Sequence, residues 1–208
     1  MSRVGIGLRA QKGGAMVVAV SVAADGPHLL LSGILETSVA GDRLSFEPYR
    51  VAFEMAREPN GEASAEAKSA VTEGRGRQDR LAAQGLQAIV HRLEAAGHKP
   101  TVAALLVNRA GWITDLLDYS LAWPDHVPVA ELLAVRDALR FAVDRCGIAL
   151  SEQDEESLSD RAVQALCLPA TEIEGRLKAL GLIAGKPWRK EQKLACLAAW
   201  VAALLGGD

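Results

Sequence analysis

The first forty residues constrain the fold most, because apolar side chains alternate there as they do in β-strands. Over 4–9, Val, Ile and Leu alternate with Gly and Arg, which is the period-two pattern of a strand with one buried face. A Gly-rich turn at 11–14 leads into a β-branched run at 16–22, and an Asp-Gly-Pro turn at 25–27 leads into an apolar run at 29–35. Three consecutive strands joined by short turns predict an antiparallel meander.

Beyond residue 41 the pattern turns helical and contains one further buried strand. Pro48 suits the first turn of a short helix, and apolar residues recur at helical spacing over 81–93. The stretch 58–78 is polar and interrupted by glycine, so we predict a mobile loop there that leads into the next helix. Residues 101–107 are almost all apolar and predict a buried strand. Because a helix precedes it, this strand should lie parallel to a strand of the meander.

The last third of the sequence is mainly helical. Helical spacing over 129–146 ends at a glycine, and 148–150 suits a final short strand. The acidic run at 152–156 is interpreted as a solvated entry to a helix, in preference to a metal site. A helical hairpin insertion is expected at 157–185, before a C-terminal helix that packs along the sheet. We therefore expect 1–208 to form a single α/β domain. The three final helices are predicted at 159–167, 172–180 and 187–205.

Charge and hydropathy narrow the functional classes. The net charge of −3 and the pI near 5.9 argue against a generally polyanion-binding surface, so nucleic-acid binding would need a local patch. Half of the residues are hydrophobic but 4% are aromatic, which predicts an aliphatic core. No apolar run reaches the ~18–20 residues of a membrane span, and the N-terminus does not resemble a signal peptide. We expect a cytoplasmic protein with no membrane partner.

The cysteines and histidines carry no metal or disulfide motif. Cys146, Cys167 and Cys196 are odd in number and far apart, and each lies in a helical or helix-end pattern, so we expect buried, inert thiols. The four histidines show no H-x-x-x-H or H-E-x-x-H spacing, and the sequence contains no G-x-S-x-G nucleophile motif. No cofactor is predicted.

The order of the predicted elements carries a resemblance. Three meandering strands, a helix, a strand, a helix, a strand and a terminal helix resemble the ribonuclease H-like superfamily, which includes Holliday-junction resolvases of the RuvC type and, as duplicated halves, actin-like ATPases. Short segments at 47–52, 131–139 and 185–200 also resemble an uncharacterised bacterial group within that superfamily. The fold class implied is a three-stranded antiparallel meander extended by parallel strands, with helices on both faces and extra helices before the last one.

The sequence departs from the resemblance at the metal-binding positions. Active nucleases of the superfamily place an acid in the middle of the first strand, where carboxylates clamp two divalent ions, but 5–9 contains none. The fourth strand ends in Asn108 and Arg109 where a resolvase would have a second acid. In the terminal helix Glu191 is a weak metal candidate, and Lys193 would repel the ion. Metal-dependent nuclease or ATPase activity is therefore not expected.

Two functional hypotheses follow. The first is a non-catalytic scaffold or nucleic-acid-associated factor on a degenerate ribonuclease H-like fold, assembling as a homodimer through its aliphatic helices. The second is an enzyme or a small-molecule or phosphate-binding protein that uses Glu36, Asn108 and Arg109 at the strand ends, where open α/β sheets commonly bind ligands. An ordinary salt bridge is the plainer interpretation of these three residues.

Two further groups of side chains are candidate binding sites. His126, beside Asp125 and near Glu131, could perform acid–base chemistry, although helix capping and a surface histidine are the plainer interpretation. Arg136, in a segment that carries the resemblance, is a further binding candidate. The patch formed by Trp188, Arg189 and Lys193 at the start of the last helix could bind a phosphate or an acidic partner. Alternatively, the tryptophan packs on the sheet and the cations are simply solvated.

A weaker alternative is DNA recognition by a helical pair. Residues 165–180 resemble a helix-turn-helix, in which the second helix enters the major groove. The second helix carries Arg176 and Lys178, but Glu172 and Glu174 lie beside them and would repel phosphates. A plain helical hairpin is the favoured interpretation.

Overall fold

Five strands form one mixed sheet in the computed structural model, which describes residues 3–55, 57–58, 62–108, 112–185 and 187–206. The order across the sheet is β3-β2-β1-β4-β5. The first three strands pair antiparallel, and β4 and β5 each add in parallel register. The predicted meander and its parallel extension are confirmed. The strands are β1 (Arg3–Gln11), β2 (Gly14–Ala23), β3 (Gly26–Glu36), β4 (Pro100–Val107) and β5 (Ala149–Asp154).

Helices cover both faces of this sheet. The long helices α3 and α5 lie on one face, and α6, α7 and α8 lie on the other. None of the helices in the described ranges is long and apolar enough to cross a membrane. The helices are α1 (Arg43–Phe46), α2 (Pro48–Glu54), α3 (Ala65–Ala95), α4 (Leu116–Ala122), α5 (Val127–Arg145), α6 (Leu158–Leu166), α7 (Ala170–Ala184) and α8 (Lys190–Leu205), with a 3-10 turn at Pro124–His126.

Strand alternation divides the core into two layers. Ile6 and Leu8 of β1 point toward α3 and α5, where they pack in one cluster with Leu86 and Leu139. The intervening positions of β1 are glycines, and they face α8. A Cβ added at Gly7 would overlap the carbonyl oxygen of Ala195, so only glycine allows this helix to approach the sheet so closely.

The first part of α3 corrects the loop predicted at 58–78, because the helix begins at Ala65. The Ser64 Oγ accepts a hydrogen bond from the Ala67 N–H and caps the helix. Gly74 fits directly against α1 and Pro48, where a side chain would clash, and the buried Gln78 amide donates to the Ser45 carbonyl. Tertiary packing therefore stabilises a helix that the glycines and polar residues made improbable from sequence.

The end of the sheet also differs from the sequence interpretation. The acidic run at 152–156 was expected to enter a helix, but β5 extends through Asp154 and includes its first three residues. Gln153 is buried within this run and its amide donates to the Ala198 carbonyl of α8. A polar side chain pointing into the core kept the period-two pattern of this strand from being visible in the sequence.

The three cysteines occupy different environments and none is bonded to another. Cys196 is buried in α8, and burial raises the pKa of its thiol to about 12. Cys146 is half-buried, so burial raises the pKa of its thiol as well. Cys167 is exposed, in a left-handed conformation that ends α6. The expectation of a buried thiol is therefore wrong for Cys167.

Candidate functional site

A cleft of about 470 Å³ opens at the carboxyl ends of β1 and β4, between α5 and the first turns of α6 and α8. We call it the strand-end cleft. Its polar lining includes Arg9 of β1, Asn108 after β4, Arg136 of α5, Glu155 after β5 and Lys190 of α8. Open α/β sheets commonly bind ligands at this edge, so the position of the cleft agrees with the sequence hypothesis of a strand-end site.

Arg9 and Glu155 make a two-pronged ion pair across the strand-end cleft. Nε of Arg9 lies 2.9 Å from Oε2, and Nη2 lies 2.9 Å from Oε1. Both side chains are about a quarter exposed, at 26% and 25%. The planar guanidinium matches both carboxylate oxygens, which fixes the orientation of each group. The Glu155 carboxylate is thus bound by a cation that belongs to the central strand.

Arg136 is buried beside this pair, with 6% of its surface exposed. Its Nη1 donates to Oδ1 of Asn108, and its Nε has no hydrogen-bond partner. Burial lowers the pKa of the Arg136 guanidinium, and the positive charge of Arg140 lowers it further. A buried cation bonded to a neutral amide, with one N–H unsatisfied, is an unusual arrangement that favours an anion nearby.

A second cleft, of about 520 Å³, shares Asn108 and Arg136 with the first and lies between α3, α4 and α5. We call it the α3–α5 cleft. Asp137 bridges two arginines there: its Oδ2 lies 2.7 Å from Nη2 of Arg75, and its Oδ1 lies 2.8 Å from Nη1 of Arg140. Nε of Arg140 also lies 2.6 Å from Oε1 of Glu152. Sequence analysis missed Arg75 and Arg140, since neither lies in a recognisable motif.

The cluster predicted from Glu36, Asn108 and Arg109 does not form around Glu36. The meander places β2 and β1 between β3 and β4, so Glu36 and Asn108 are three strand spacings apart, or about 14 Å. Glu36 instead lines a separate surface cleft with Lys12. Arg109 lies outside the described residues. Of the two described members, Asn108 lines the strand-end cleft and Glu36 does not.

His126 and Glu131 have separate partners and do not form the acid–base pair considered from sequence. The His126 ring stacks on Tyr119, 4.0 Å between centroids, and its Nδ1 lies 2.8 Å from the Tyr119 carbonyl oxygen. Glu131 is 5% exposed, and its Oε1 accepts a hydrogen bond from the Arg50 N–H at 2.9 Å. Its Oε2 has no partner, and burial raises the pKa of this carboxyl to about 7. Glu131 therefore caps the start of α2.

The basic patch at the start of α8 forms without its aromatic member. Nε1 of Trp188 donates to the Leu177 carbonyl at 3.0 Å, and the ring lies against Gly181 of α7 and packs on the core cluster of this face of the sheet. Arg189 and Lys193 stay exposed, as does Lys190 between them. Lys190 lines the strand-end cleft, and Arg189 lines a separate cleft with Arg9.

The metal site that the fold resemblance implies does not fit these side chains. Two-metal sites need converging carboxylates. In the described ranges no three His, Cys, Asp or Glu side chains are grouped to hold an ion. Glu191 lines a cleft that also contains Arg9 and Arg189, so cations surround this candidate ligand. The Glu155 carboxylate, which reaches β1, is bonded to Arg9 of that strand.

The helical pair considered for DNA recognition lies flat on the sheet. α7 buries Ile173, Leu177 and Leu180 in the same cluster as α8. Arg176, the main basic residue of α7, lies 2.6 Å from a carboxylate oxygen of Glu172 and over the Trp200 ring. Its guanidinium is therefore held by intramolecular contacts, which favours the plain hairpin.

Comparisons with known proteins agree with this architecture. No protein-family model and no curated protein matches the sequence. The chain is similar to the structure of Thermus thermophilus RuvC, with 14% identity, a TM-score of 0.52 and coverage of 98% of this chain and 95% of that chain. It is also similar to T. thermophilus RuvC in complex with a Holliday junction substrate, with 13% identity, a TM-score of 0.55 and coverage of 98% and 94%. The five-stranded mixed sheet with helices on both faces is thus the ribonuclease H-like fold of RuvC-type resolvases.

Proposed function

We propose that this protein is a non-catalytic ribonuclease H-like factor that binds nucleic acid at the strand-end cleft and does not cleave it. The observation that carries the proposal is the lining of this cleft. The cations Arg9, Arg136 and Lys190 line it together with the acids Glu155 and Glu156, and Glu155 is bonded to Arg9. The similarity to a resolvase solved with a Holliday junction supports nucleic acid as the partner.

The local positive charge supports phosphate binding, although the chain as a whole carries a net negative charge. The net charge is −3, yet Arg189, Lys190 and Lys193 are exposed in a row beside the cleft. Lysine and arginine at a surface neutralise backbone phosphates and release bound counterions, which gives affinity without sequence selectivity. The exposed row therefore suits positioning on a nucleic acid more than reading its bases.

The proposed absence of nucleic-acid cleavage also depends on the charges at the strand-end cleft. Hydrolysis of a phosphodiester by two metal ions needs carboxylates to hold the ions. Arg9 of β1 and Asn108 after β4 line the cleft without a carboxylate, and Lys190 and Lys193 flank Glu191 on α8. Cations at these places repel Mg²⁺ instead of binding it.

The proposal includes a homodimer. Leu182 and Ile183, at the end of α7, are 81% and 73% exposed, and such adjacent apolar side chains are typical of contact surfaces. Light scattering after gel filtration should give twice the 22.0 kDa chain mass. Leu182→Asp should give a monomer, and a wild-type mass of one chain would remove this part of the proposal.

The binding claim can be tested with labelled DNA. Fluorescence anisotropy with a four-way junction and a single strand should detect binding at about 50 mM salt that weakens steeply by about 200 mM. Lys190→Glu and Lys193→Glu should each weaken binding and lower the salt slope by about 1 or more. Lys99→Glu is the matched control, since Lys99 is exposed at the amino end of β4, at the opposite edge of the sheet.

Three results would overturn the proposal. One is the absence of binding to either DNA at the lower salt concentration. Another is equal weakening of binding by the Lys99 and Lys190 variants. The third is cleavage of the junction in the presence of Mg²⁺ or Mn²⁺.

A further inference from the structure

We propose that the α3–α5 cleft is a binding site for a small phosphate monoester, of the nucleoside monophosphate class, with Arg136 as its buried anion receptor. This site is separate from the exposed lysines of α8, so the inference goes beyond nucleic-acid binding. It can hold even if the DNA proposal fails.

The size and position of the cleft suit a small molecule. Its volume of about 520 Å³ falls within the ~300–1,000 Å³ range of ligand sites. It lies at the carboxyl end of β4, where α4 closes one side and α3 and α5 form the others. Such a position holds a ligand against three elements of the rigid fold.

Unsatisfied bonding at Arg136 points to the charge of the ligand. The side chain is more than nine-tenths buried, lines the cleft, and has an Nε with no partner in the described structure. Its one hydrogen bond, to Asn108, involves a neutral oxygen. Glu155 and Glu152 attract the Arg136 cation, but neither carboxylate is bonded to it, and a phosphate in the cleft would supply a directly bonded negative charge.

The other charged groups in the cleft are largely balanced. Arg75 and Arg140 share Asp137, and Arg140 also binds Glu152. The Asp115 Oδ1 accepts hydrogen bonds from two N–H groups of α4. Among the described residues that line this cleft, Arg136 is therefore the cation with no carboxylate bonded to it. The attraction for an anion in this cleft is therefore assigned to Arg136, and not to the paired guanidinium groups beside it.

The remaining lining suits the organic part of a phosphate monoester. Val71, Ile113 and Leu116 provide an apolar wall, and the hydroxyls of Tyr49, Thr72 and Thr114 provide polar contacts. A nucleoside combines a flat ring with a hydroxylated sugar, so it would meet both kinds of surface. Inorganic phosphate would contact Arg136 but would make no contact with the apolar wall.

Titration calorimetry and thermal unfolding with adenosine 5′-monophosphate, uridine 5′-monophosphate, adenosine and inorganic phosphate test the inference. We expect a monophosphate to bind and to raise the Tm, whereas adenosine and inorganic phosphate should each bind at least about tenfold more weakly. Arg136→Met should weaken monophosphate binding about tenfold or more. Arg145→Met is the matched control, because Arg145 is exposed on the last turn of the same helix.

A second variant keeps the test valid if Arg136→Met does not fold. Thr72→Trp places bulk in the cleft from an exposed position of α3 and should block the monophosphate while Arg136 remains. Absence of any ligand-induced Tm shift in the wild-type protein, or unchanged affinity in both variants, would overturn the inference. Lys190→Glu should leave monophosphate affinity unchanged, so failure of DNA binding and failure of this site give different results.

Discussion

The helices α5 and α8 cover the same sheet from opposite faces, but they differ in how closely they pack and in the charges they bury. α8 lies so close to β1 that glycine is required opposite Ala195 and Ala199. Alanine makes up a similar share of the buried residues in both helices, five of ten in α8 and four of ten in α5. Only α5 also buries charged side chains, Glu131 and Arg136, which are the ones buried in the described part of the chain. Each of these two has a buried polar atom without a partner.

This difference separates the residues that stabilise the fold from those that reduce its stability. Close packing of small residues stabilises a protein through dispersion contacts and excluded water. Buried charges with incomplete hydrogen bonding lower stability, and proteins retain such groups mainly at functional sites. The two clefts that we propose as binding sites both include Arg136 of α5.

The largest effect should come from filling the contact between β1 and α8. Gly7→Ala places a methyl group into the Ala195 backbone, which cannot move without shifting α8, so we expect a loss of about 3 kcal/mol or more. Gly33→Ala is the matched control, since Gly33 is also a strand glycine but has open space around its Cβ position. It should change stability by less than about 1 kcal/mol. Urea unfolding of both variants would contradict this account if the two losses were equal.

The next effect concerns the pH dependence contributed by α5. The pKa of Glu131 is raised to about 7 from 4.5, so the folded protein retains a proton that the unfolded chain releases. The stability contributed by this group is therefore present at low pH and is lost as pH rises toward 7. Glu131→Gln keeps an acceptor for the Arg50 N–H without the charge. The difference in unfolding free energy between the variant and the wild type should shift in favour of the variant by on the order of 2 kcal/mol from pH 5 to pH 8.

Urea unfolding of the wild type and the Glu131 variant at the two pH values measures this difference. A stability difference between the two proteins that does not change with pH would show that burial of Glu131 has no linkage to titration.

A smaller effect is expected at the ion pair of the strand-end cleft. Arg9 and Glu155 are partly exposed, so water and salt screen their attraction even though the geometry is two-pronged. A double-mutant cycle with Arg9→Met and Glu155→Gln should give a coupling of about 1 kcal/mol that falls as salt is added. A coupling that is zero at low salt would mean that Glu155 is free to bind other cations.

The smallest effect on stability should come from Arg136, although its effect on binding is large. Arg136→Met replaces a buried cation that has no carboxylate partner with an apolar chain of similar length, so the unfolding free energy should change by less than about 1 kcal/mol. Arg140→Met is the comparison variant, because Arg140 lies on the same helix and its loss breaks two ion pairs, one with Asp137 and one with Glu152. A large destabilisation by Arg136→Met alone would assign this residue a structural role.

The sequence predicts the sheet better than it predicts the site. Strict alternation over 4–9 and short Gly-rich turns specify the meander, and the helix before 101–107 requires a parallel strand. The start of α3 was missed because its stability depends on packing of Gly74 and Gln78 against α1, which no local pattern records. Tertiary contacts there outweigh weak helix propensity.

The site was harder to predict because it depends on strand order and burial. Glu36 and Asn108 both end strands, and without the order of the strands their separation by β1 and β2 was not visible. Arg136 lies between Leu132 and Leu139 in an apolar helical stripe, which is the one sequence signal of its burial. The limits of the domain and the mobility expected at 58–78 stay predictions.

The proposed function has two parts, nucleic-acid binding at the strand-end cleft and the absence of cleavage, and one measurement tests both. The protein is incubated with an end-labelled four-way DNA junction and Mg²⁺ or Mn²⁺, and the products are run on native and denaturing gels. The expected result is a shifted complex on the native gel, weakened by Lys190→Glu and by salt, with intact strands on the denaturing gel. Strand cleavage that is lost in Glu191→Gln, or no shifted complex at low salt, would contradict the account.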